Sequence, residues 1–347
     1  MSKIRIGTRG SKLALKQAAL VQEAILRVDS ELETEIVVVH TKGDKIQDKP
    51  LTEIGDKGVF ASELEKSLQD GEIDLAVHSA KDLPMTLGKG LDIAAVLPRG
   101  DVRDVLVLPK GGKLLALAES GMETAGVLNG GRGTAERPDK KFVIGTGSRR
   151  RQQQAGQVWE NVVCENIRGN VDTRLQKLKS SNDDKTARDE MRYHGIILAK
   201  AGLDRLDMIS RHEAEFDFYP LSPEQFLPAA CQGIIAVEVL QGSLAAALCR
   251  EITDAETELC FLVERKVLSA LSADCSEAIA AWCRREADGL TLDVMYAGNR
   301  QRLVCVADFP SEAEGGKETA LLQAGLAMAR QAAKLVKDNG ITDEERA

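Results

Sequence analysis

Three times along the chain an apolar strand runs into a short cluster of small polar and charged residues, and a helix then begins. Lys3–Thr8 alternates with Ile4 and Ile6 on one face, the period of a strand. Ser11 follows as an N-cap, and Ala14, Ala18, Val21, Ile25 and Val28 recur at helical spacing. Ile36–Val39 is a continuous β-branched run, which predicts a strand buried on both faces. Phe60, Leu64 and Leu68 line a further helix, and strands are predicted at Asp74–Ala80, Ile93–Val96 and Val105–Leu108. The pattern restarts with strands at Lys141–Gly145, Val162–Cys164 and Ile196–Ala199, separated by helices near 149–158 and 170–180. Strand and helix in alternation mean a mainly parallel sheet covered by helices, so the expected fold class is α/β with two such lobes.

The remainder is different in kind. Tyr219–Pro228 is predicted to cross back to the first lobe, and Ile234–Leu240 is a strand that either lobe could own. Ser243–Leu271 reads as helical. Short strands at Ala278–Trp282, Leu290–Ala297 and Arg302–Ala307 precede a long Ala-rich helix over Glu318–Asn339. This last third is a smaller α+β unit. The expected domains are 1–105 with 219–240, then 106–218, then 241–347. Residues 110–140, with seven glycines and no clear period, read as a surface excursion from the second domain.

Composition narrows the function. The net charge is −8 and only 3% of residues are aromatic, which argues against a nucleic-acid-binding module. No Walker loop is present. No apolar run is long enough to span a bilayer, and the start MSKIRIGTRGSKLAL lacks the pattern of a signal peptide. The expectation is therefore a cytoplasmic protein with no membrane partner. Seven cysteines (164, 231, 249, 260, 275, 283 and 305) are scattered without C-x-x-C pairs, so neither a zinc site nor a disulfide framework is expected.

Ligands of open α/β sheets bind beyond the carboxyl ends of the strands, and polar clusters lie at those ends. GTGSRRRQQQ (145–154) puts a Ser and three arginines where a helix opens. Free N–H groups and guanidinium forks there suit a carboxylate or phosphate. NIRGNVDTR (166–174) repeats the device with Arg168, Asn170 and Arg174, and GTRGS (7–11) adds Arg9 in the first lobe. An acidic chain that gathers its cations this way points to a ligand with several acidic groups. DLAVHSAKDLP (74–84) differs, because Lys81 and Asp82 stand side by side at a strand end. A carboxylate among ligand-binding cations is suited to steadying positive charge on a substrate whose acidic groups those cations hold. An isolated structural ion pair is the plainer alternative.

These stretches, with HTKGDKIQDKPLTEIGDKGVFASELE, GIILAKAGLDRL, FLPAACQGIIAVE and VERKVLSAL, resemble the porphobilinogen deaminase (hydroxymethylbilane synthase) family, in family order over most of residues 3–283. The resemblance implies two lobes of the type II periplasmic-binding-protein fold with the active cleft between them, and a small α+β domain whose cysteine carries a dipyrromethane cofactor. It implies a transferase, working as a monomer, that deaminates four porphobilinogen molecules and joins them head to tail. By resemblance Asp82 is the catalytic carboxylate and Cys275 the cofactor attachment point. Arg9, Ser11, Ser79, Lys81, Thr146, Ser148, Arg150, Arg151, Arg168, Asn170 and Arg174 match ligand-binding positions, and Lys57, with Phe60, falls in the family's cleft loop. No metal is implied. The cysteine loop departs from the family: Ala273 and Asp274 replace its usual two glycines, and Ala278 and Ala280 its later Pro and Gly. Asp274 sets a negative charge beside the thiol. Glu53 stands where a Lys is common and Arg149 where an apolar residue is usual. The competing reading is a non-catalytic anion- or tetrapyrrole-binding protein on the same scaffold.

Overall fold

The computed structural model describes residues 3–40, 61–111, 142–159, 161–183, 193–272, 277–286, 289–306 and 314–338. Lys57, Phe60, Cys275 and most of the 110–140 excursion lie outside them. The chain forms two compact units, one of residues 1–101 with 229–347 and the other of residues 102–228.

In the first unit, β1 (Ile4–Thr8), β2 (Thr34–Val38), β3 (Leu75–Ser79), β4 (Leu91–Val96) and β10 (Ile235–Leu240) form one sheet in the order β2-β1-β3-β10-β4. β2, β1 and β3 run parallel, and β10 is antiparallel to both its neighbours. The central strands are apolar on both sides because both faces are covered. Helix α1 (Lys12–Val28) buries Ala18, Val21 and Ile25 against Ile6, Leu75 and Val77 on one face. Helix α2 (Ser62–Gln69) packs Leu64 and Leu68 on Ala76 and Leu91 on the other. Ser11 caps α1 as its sequence predicts, its Oγ accepting from the Ala14 N–H at 3.2 Å. The β-branched run of β2 is not doubly buried. It is the edge strand, and Val38 is 41% exposed. A run of apolar residues reports strand propensity but carries no information on which strand has a neighbour missing.

The second unit repeats the plan. Its strands are β5 (Asp104–Pro109), β6 (Phe142–Gly145), β7 (Val162–Glu165), β8 (Gly195–Ala199) and β9 (Phe216–Pro220), ordered β7-β6-β8-β5-β9. Here β5 takes the place that β10 holds in the first sheet, antiparallel beside the third parallel strand. The two sheets thus have one topology, each with a single antiparallel strand set among its parallel ones, as the type II bilobal fold requires. Ile234–Leu240, left open between lobes by its sequence, belongs to the first. Phe216–Pro220 is a strand of the second sheet, paired with β5, and the sequence pattern missed it because its alternating FDFYP ends in proline at a sheet edge.

Helices α3 (Arg149–Val158) and α4 (Val171–Asp183) cover opposite faces of this second sheet, joined by the short α5 (Lys200–Arg205) and α6 (Met208–His212). Back in the first unit, the predicted continuous helix over Ser243–Leu271 is two helices, α7 (Leu244–Arg250) and α8 (Ala255–Leu271). The break is a capping event. Asp254 adopts extended angles and its side chain accepts from the Thr257 N–H at 2.8 Å. The meander β11 (Ile279–Glu286), β12 (Gly289–Tyr296) and β13 (Asn299–Val306) follows, then α9 (Glu314–Asp338). Val263 and Val267 of α8, Leu290 and Leu292 of β12 and Ala329 and Ala333 of α9 share one core with Ala80, Leu83 and Ala236 of the first lobe.

Candidate functional site

The site residues of the first unit collect at the carboxyl ends of β1 and β3. Arg9 directly follows β1 and Ser11 caps α1. β3 ends at Ser79, whose hydroxyl bonds the amide of Gln17 on α1 at 2.9 Å. Ala80–Asp82 then makes one 3-10 turn, closed by the Leu83 N–H on Ala80 O. The turn is tethered to the residue before β10 by the Ala80 N–H on Ile234 O at 3.0 Å. The chain beyond it is held by Arg265 of α8, which donates to Pro84 O at 2.8 Å and Met85 O at 2.9 Å. Lys81 is half-buried and donates to Gln232 Oε1 at 3.3 Å, while Asp82 is exposed. Adjacent in sequence, the two side chains therefore have different surroundings: the ammonium leans on protein and the carboxylate faces outward.

Gln232 was not legible as a site residue. It lies in a turn that only the folded chain explains. Cys231 has φ +60° and Gly233 φ +89°, and a Cβ on Gly233 would lie 2.6 Å from Gly100 O, so no larger residue fits there. The turn is fixed by Glu264 of α8, fully buried, which accepts from the Cys231 and Cys283 N–H groups and from Arg99 at 2.7 Å. Arg99 also donates to Gln232 O at 2.9 Å.

In the second unit the arginine cluster divides. Arg149 is exposed. Arg150 and Arg151, 4% and 6% exposed, converge on Asp104 at the start of β5, which is 0% exposed. Arg150 Nη1 donates to Asp104 Oδ2 and Arg151 Nη2 to Asp104 Oδ1, each at 2.7 Å. Arg150 also donates to Leu227 O and Arg151 to Ile197 O. Burial pushes the Asp104 carboxyl up, but Arg150 and Arg151 outweigh it and hold the group well below the usual carboxylate range. These guanidinium groups are thus oriented by an acid that the sequence hid. Asp104 opens a valine- and leucine-rich strand and sits 46 residues from Arg150. Thr146 is fully buried, its hydroxyl accepting from the Ser148 N–H, and Ser148 caps α3.

The neighbouring strand end is more open. Asn170 caps α4, accepting from the Thr173 N–H at 2.9 Å. Gly169 at φ +115° makes the turn, and Arg174 Nε donates to Gly169 O at 2.8 Å. Arg168 leaves Nη1 buried with no hydrogen-bond partner. A buried guanidinium nitrogen without an acceptor lacks a ligand that the protein itself does not supply. Beside a capped helix N-terminus it fits an acidic group, as a dipyrromethane bearing carboxylates would be.

Four of the described cysteines are poor nucleophiles, their thiols raised. Burial pushes the Cys249 thiol up to about 12 and, with Glu165, the Cys164 thiol up to about 11. Cys231 is raised chiefly by burial, Cys283 by its hydrogen bond with Cys260 and then by burial. Among the described residues no group of His, Cys, Asp and Glu could hold a metal ion, and no helix is long and apolar enough to cross a membrane.

Residues 4–247 match a family model described as "Porphobilinogen deaminase, dipyromethane cofactor binding domain". A porphobilinogen deaminase of Acetivibrio thermocellus is 36% identical over 87% of this chain and 90% of its own length. One from Clostridioides difficile is 33% identical over 94% of this chain and 97% of its own length. A probable porphobilinogen deaminase of Thermoplasma acidophilum is 36% identical over 84% of this chain and 85% of its own length. Among solved structures, the substrate binding domain of a putative molybdenum ABC transporter from Clostridium difficile aligns with 75% of this chain and 92% of that chain. Its identity is 12% and its TM-score 0.37, so the fold assignment rests on strand order instead. The matched span and the coverage of those relatives agree with the two-sheet topology and the strand-end clusters, and the chain belongs to the porphobilinogen deaminase family.

Proposed function

We propose that this chain is a cytoplasmic, monomeric transferase that deaminates four porphobilinogen molecules and joins them into the linear tetrapyrrole hydroxymethylbilane. The observation that carries the reading is the exposed carboxylate of Asp82 on the turn beyond β3, with Lys81 beside it, in a chain of this family. When bound through Cys275, a dipyrromethane supplies the anchored primer to which substrate units are added. Arg168, Asn170 and Arg174 hold acidic side groups of the bound pyrroles, joined by Arg9, Ser11, Lys57, Ser79, Thr146 and Ser148. Arg150 and Arg151 lend positive potential from their buried seat. Asp82 stabilises the positive charge that develops on a pyrrole as ammonia departs, and Lys81 pairs with its acidic groups. An acid exposed at a turn can meet a substrate, whereas one buried between two arginines cannot.

Cys275 is the attachment point that the resemblance to the family implies. Three domains suit this cycle: 1–101 with 229–240, then 102–228, which takes in β5 and β9, and 241–347 carrying Cys275. Intact-protein mass spectrometry tests the proposal. A mass increase of two pyrrole units on the Cys275 peptide, together with consumption of porphobilinogen, is the expected result. A thiol that stays bare after incubation with porphobilinogen would overturn it and leave the binding-protein reading.

A further inference from the structure

Strand β3 carries a second ionisable pair that the deamination chemistry does not use. His78 is 8% exposed and Glu238, on β10, is 0% exposed. His78 Nε2 and Glu238 Oε2 are 2.9 Å apart. Glu238 Oε1 is buried with no hydrogen-bond partner. From α2, across the same sheet face, Glu65 accepts from the Gly88 N–H at 3.2 Å. Burial and then Glu238 push the Glu65 carboxyl up, opposed by the Gly88 bond and His78. Otherwise this face packs Leu64, Leu68, Ala76 and Leu91.

A buried pair of this kind is a poor device for stability, because apolar side chains of similar volume usually pack at least as well. Its best-attested use is to specify register. The register at stake is that of β3 on β10, where Ala76 faces Glu238 and His78 faces Ala236. The His78–Glu238 bond runs diagonally between those two pairs. It does so where β10 is least regular, since its pairing with β4 shifts between Val237 and Glu238. That irregularity lies on the β4 side of β10, while the β3 side keeps an unbroken register from Leu75 on Val239 to Ser79 on Ile235.

Register matters because both strands lead into the site. Three residues after His78 comes Lys81. Six residues before Glu238 comes Gln232, fully buried, whose Oε1 accepts from Lys81 Nζ. A one-residue slip moves the strands by about 3.3 Å, enough to part that amine from its acceptor. We propose that His78 and Glu238 are positioning residues whose buried bond sets β3 on β10, and so holds the Lys81 amine on Gln232 and presents Asp82 beside it. The effect on turnover rests on the deaminase reading; the effect on Lys81 does not.

The test pairs His78→Leu with Glu238→Leu in the full-length protein. Acetylation of Lys81 by acetic anhydride is followed by peptide mass spectrometry, with exposed Lys89 as internal reference, alongside thermal melting and porphobilinogen kinetics. The double variant is expected to melt near the wild type and to acetylate Lys81 several-fold faster. Its kcat is expected to fall roughly tenfold to a hundredfold, as for a small misplacement of a reacting group, with KM little changed. Glu238→Gln, which keeps an acceptor for His78, should restore both readouts. Should the double variant not fold, Glu238→Met, close to glutamate in volume, carries the same test. A folded variant with wild-type Lys81 labelling and wild-type kcat overturns the proposal. If the wild-type protein itself does not consume porphobilinogen, the deaminase reading fails and Lys81 labelling alone decides the positioning role.

Discussion

The two lobes share a strand order and each bears an acid next to basic residues, but they treat that acid in opposite ways. In the first lobe Asp82 is exposed on a 3-10 turn, and its neighbour Lys81 turns to Gln232. In the second, Asp104 is 0% exposed and both its oxygens are taken by Arg150 and Arg151. Charge type and spacing alone do not separate a reactive carboxylate from a structural one. Burial separates them, because a desolvated acid must be matched by donors that then have little left for a substrate.

The largest expected effect is on the buried side of this contrast. Asp104→Ala leaves two guanidinium groups buried without their acid and should destabilise the second lobe by about 3–5 kcal/mol, measured by denaturant unfolding. A loss under 1 kcal/mol would show that water reaches the site and would break the contrast. The same acid predicts an acid limb of stability. Its folded pKa is depressed below the unfolded value of about 3.9, so its contribution is complete above that value and is lost as pH falls through the folded pKa. Wild type should therefore lose stability below about pH 4 more steeply than Asp104→Asn, followed by melting temperature against pH.

Next comes the exposed acid. Asp82→Asn should reduce kcat by roughly a hundredfold or more while changing stability by under about 0.5 kcal/mol. Equal losses of stability in Asp82→Asn and Asp104→Asn would erase the distinction. A smaller effect sharpens it within one helix. Ser148→Ala removes the α3 cap and should cost about 1 kcal/mol in the same unfolding assay. Smallest of all, Arg149→Ala removes the exposed member of the arginine run and should stay within about 0.5 kcal/mol of wild type, against several times that for Arg151→Ala. Comparable values for the two arginines would show that the run acts as one solvated face.

Much of this was legible beforehand because it is local. Period-two and period-3.6 patterns located most strands and helices, and the cap at Ser11 was visible where its helix opens. Elements that failed did so for tertiary reasons. β2 looked like a central strand yet lies at an edge, and β9 looked like a crossing segment yet pairs with β5. In the site, Arg150, Arg151 and Lys81 were found as charges, but their partners Asp104 and Gln232 were not, at separations of 46, 47 and 151 residues.

The amino-acid sequence alone determined the alternation of strand and helix, the family, and the presence of cations and an acid at strand ends, since each follows from neighbours in the chain. Folding decided which charges meet, because a partner for a buried charge is chosen by what the sheets bring within about 3 Å. Whether Asp82 stays in water while Asp104 is withdrawn from it follows from the packing around each strand end, and no count of charges contains that.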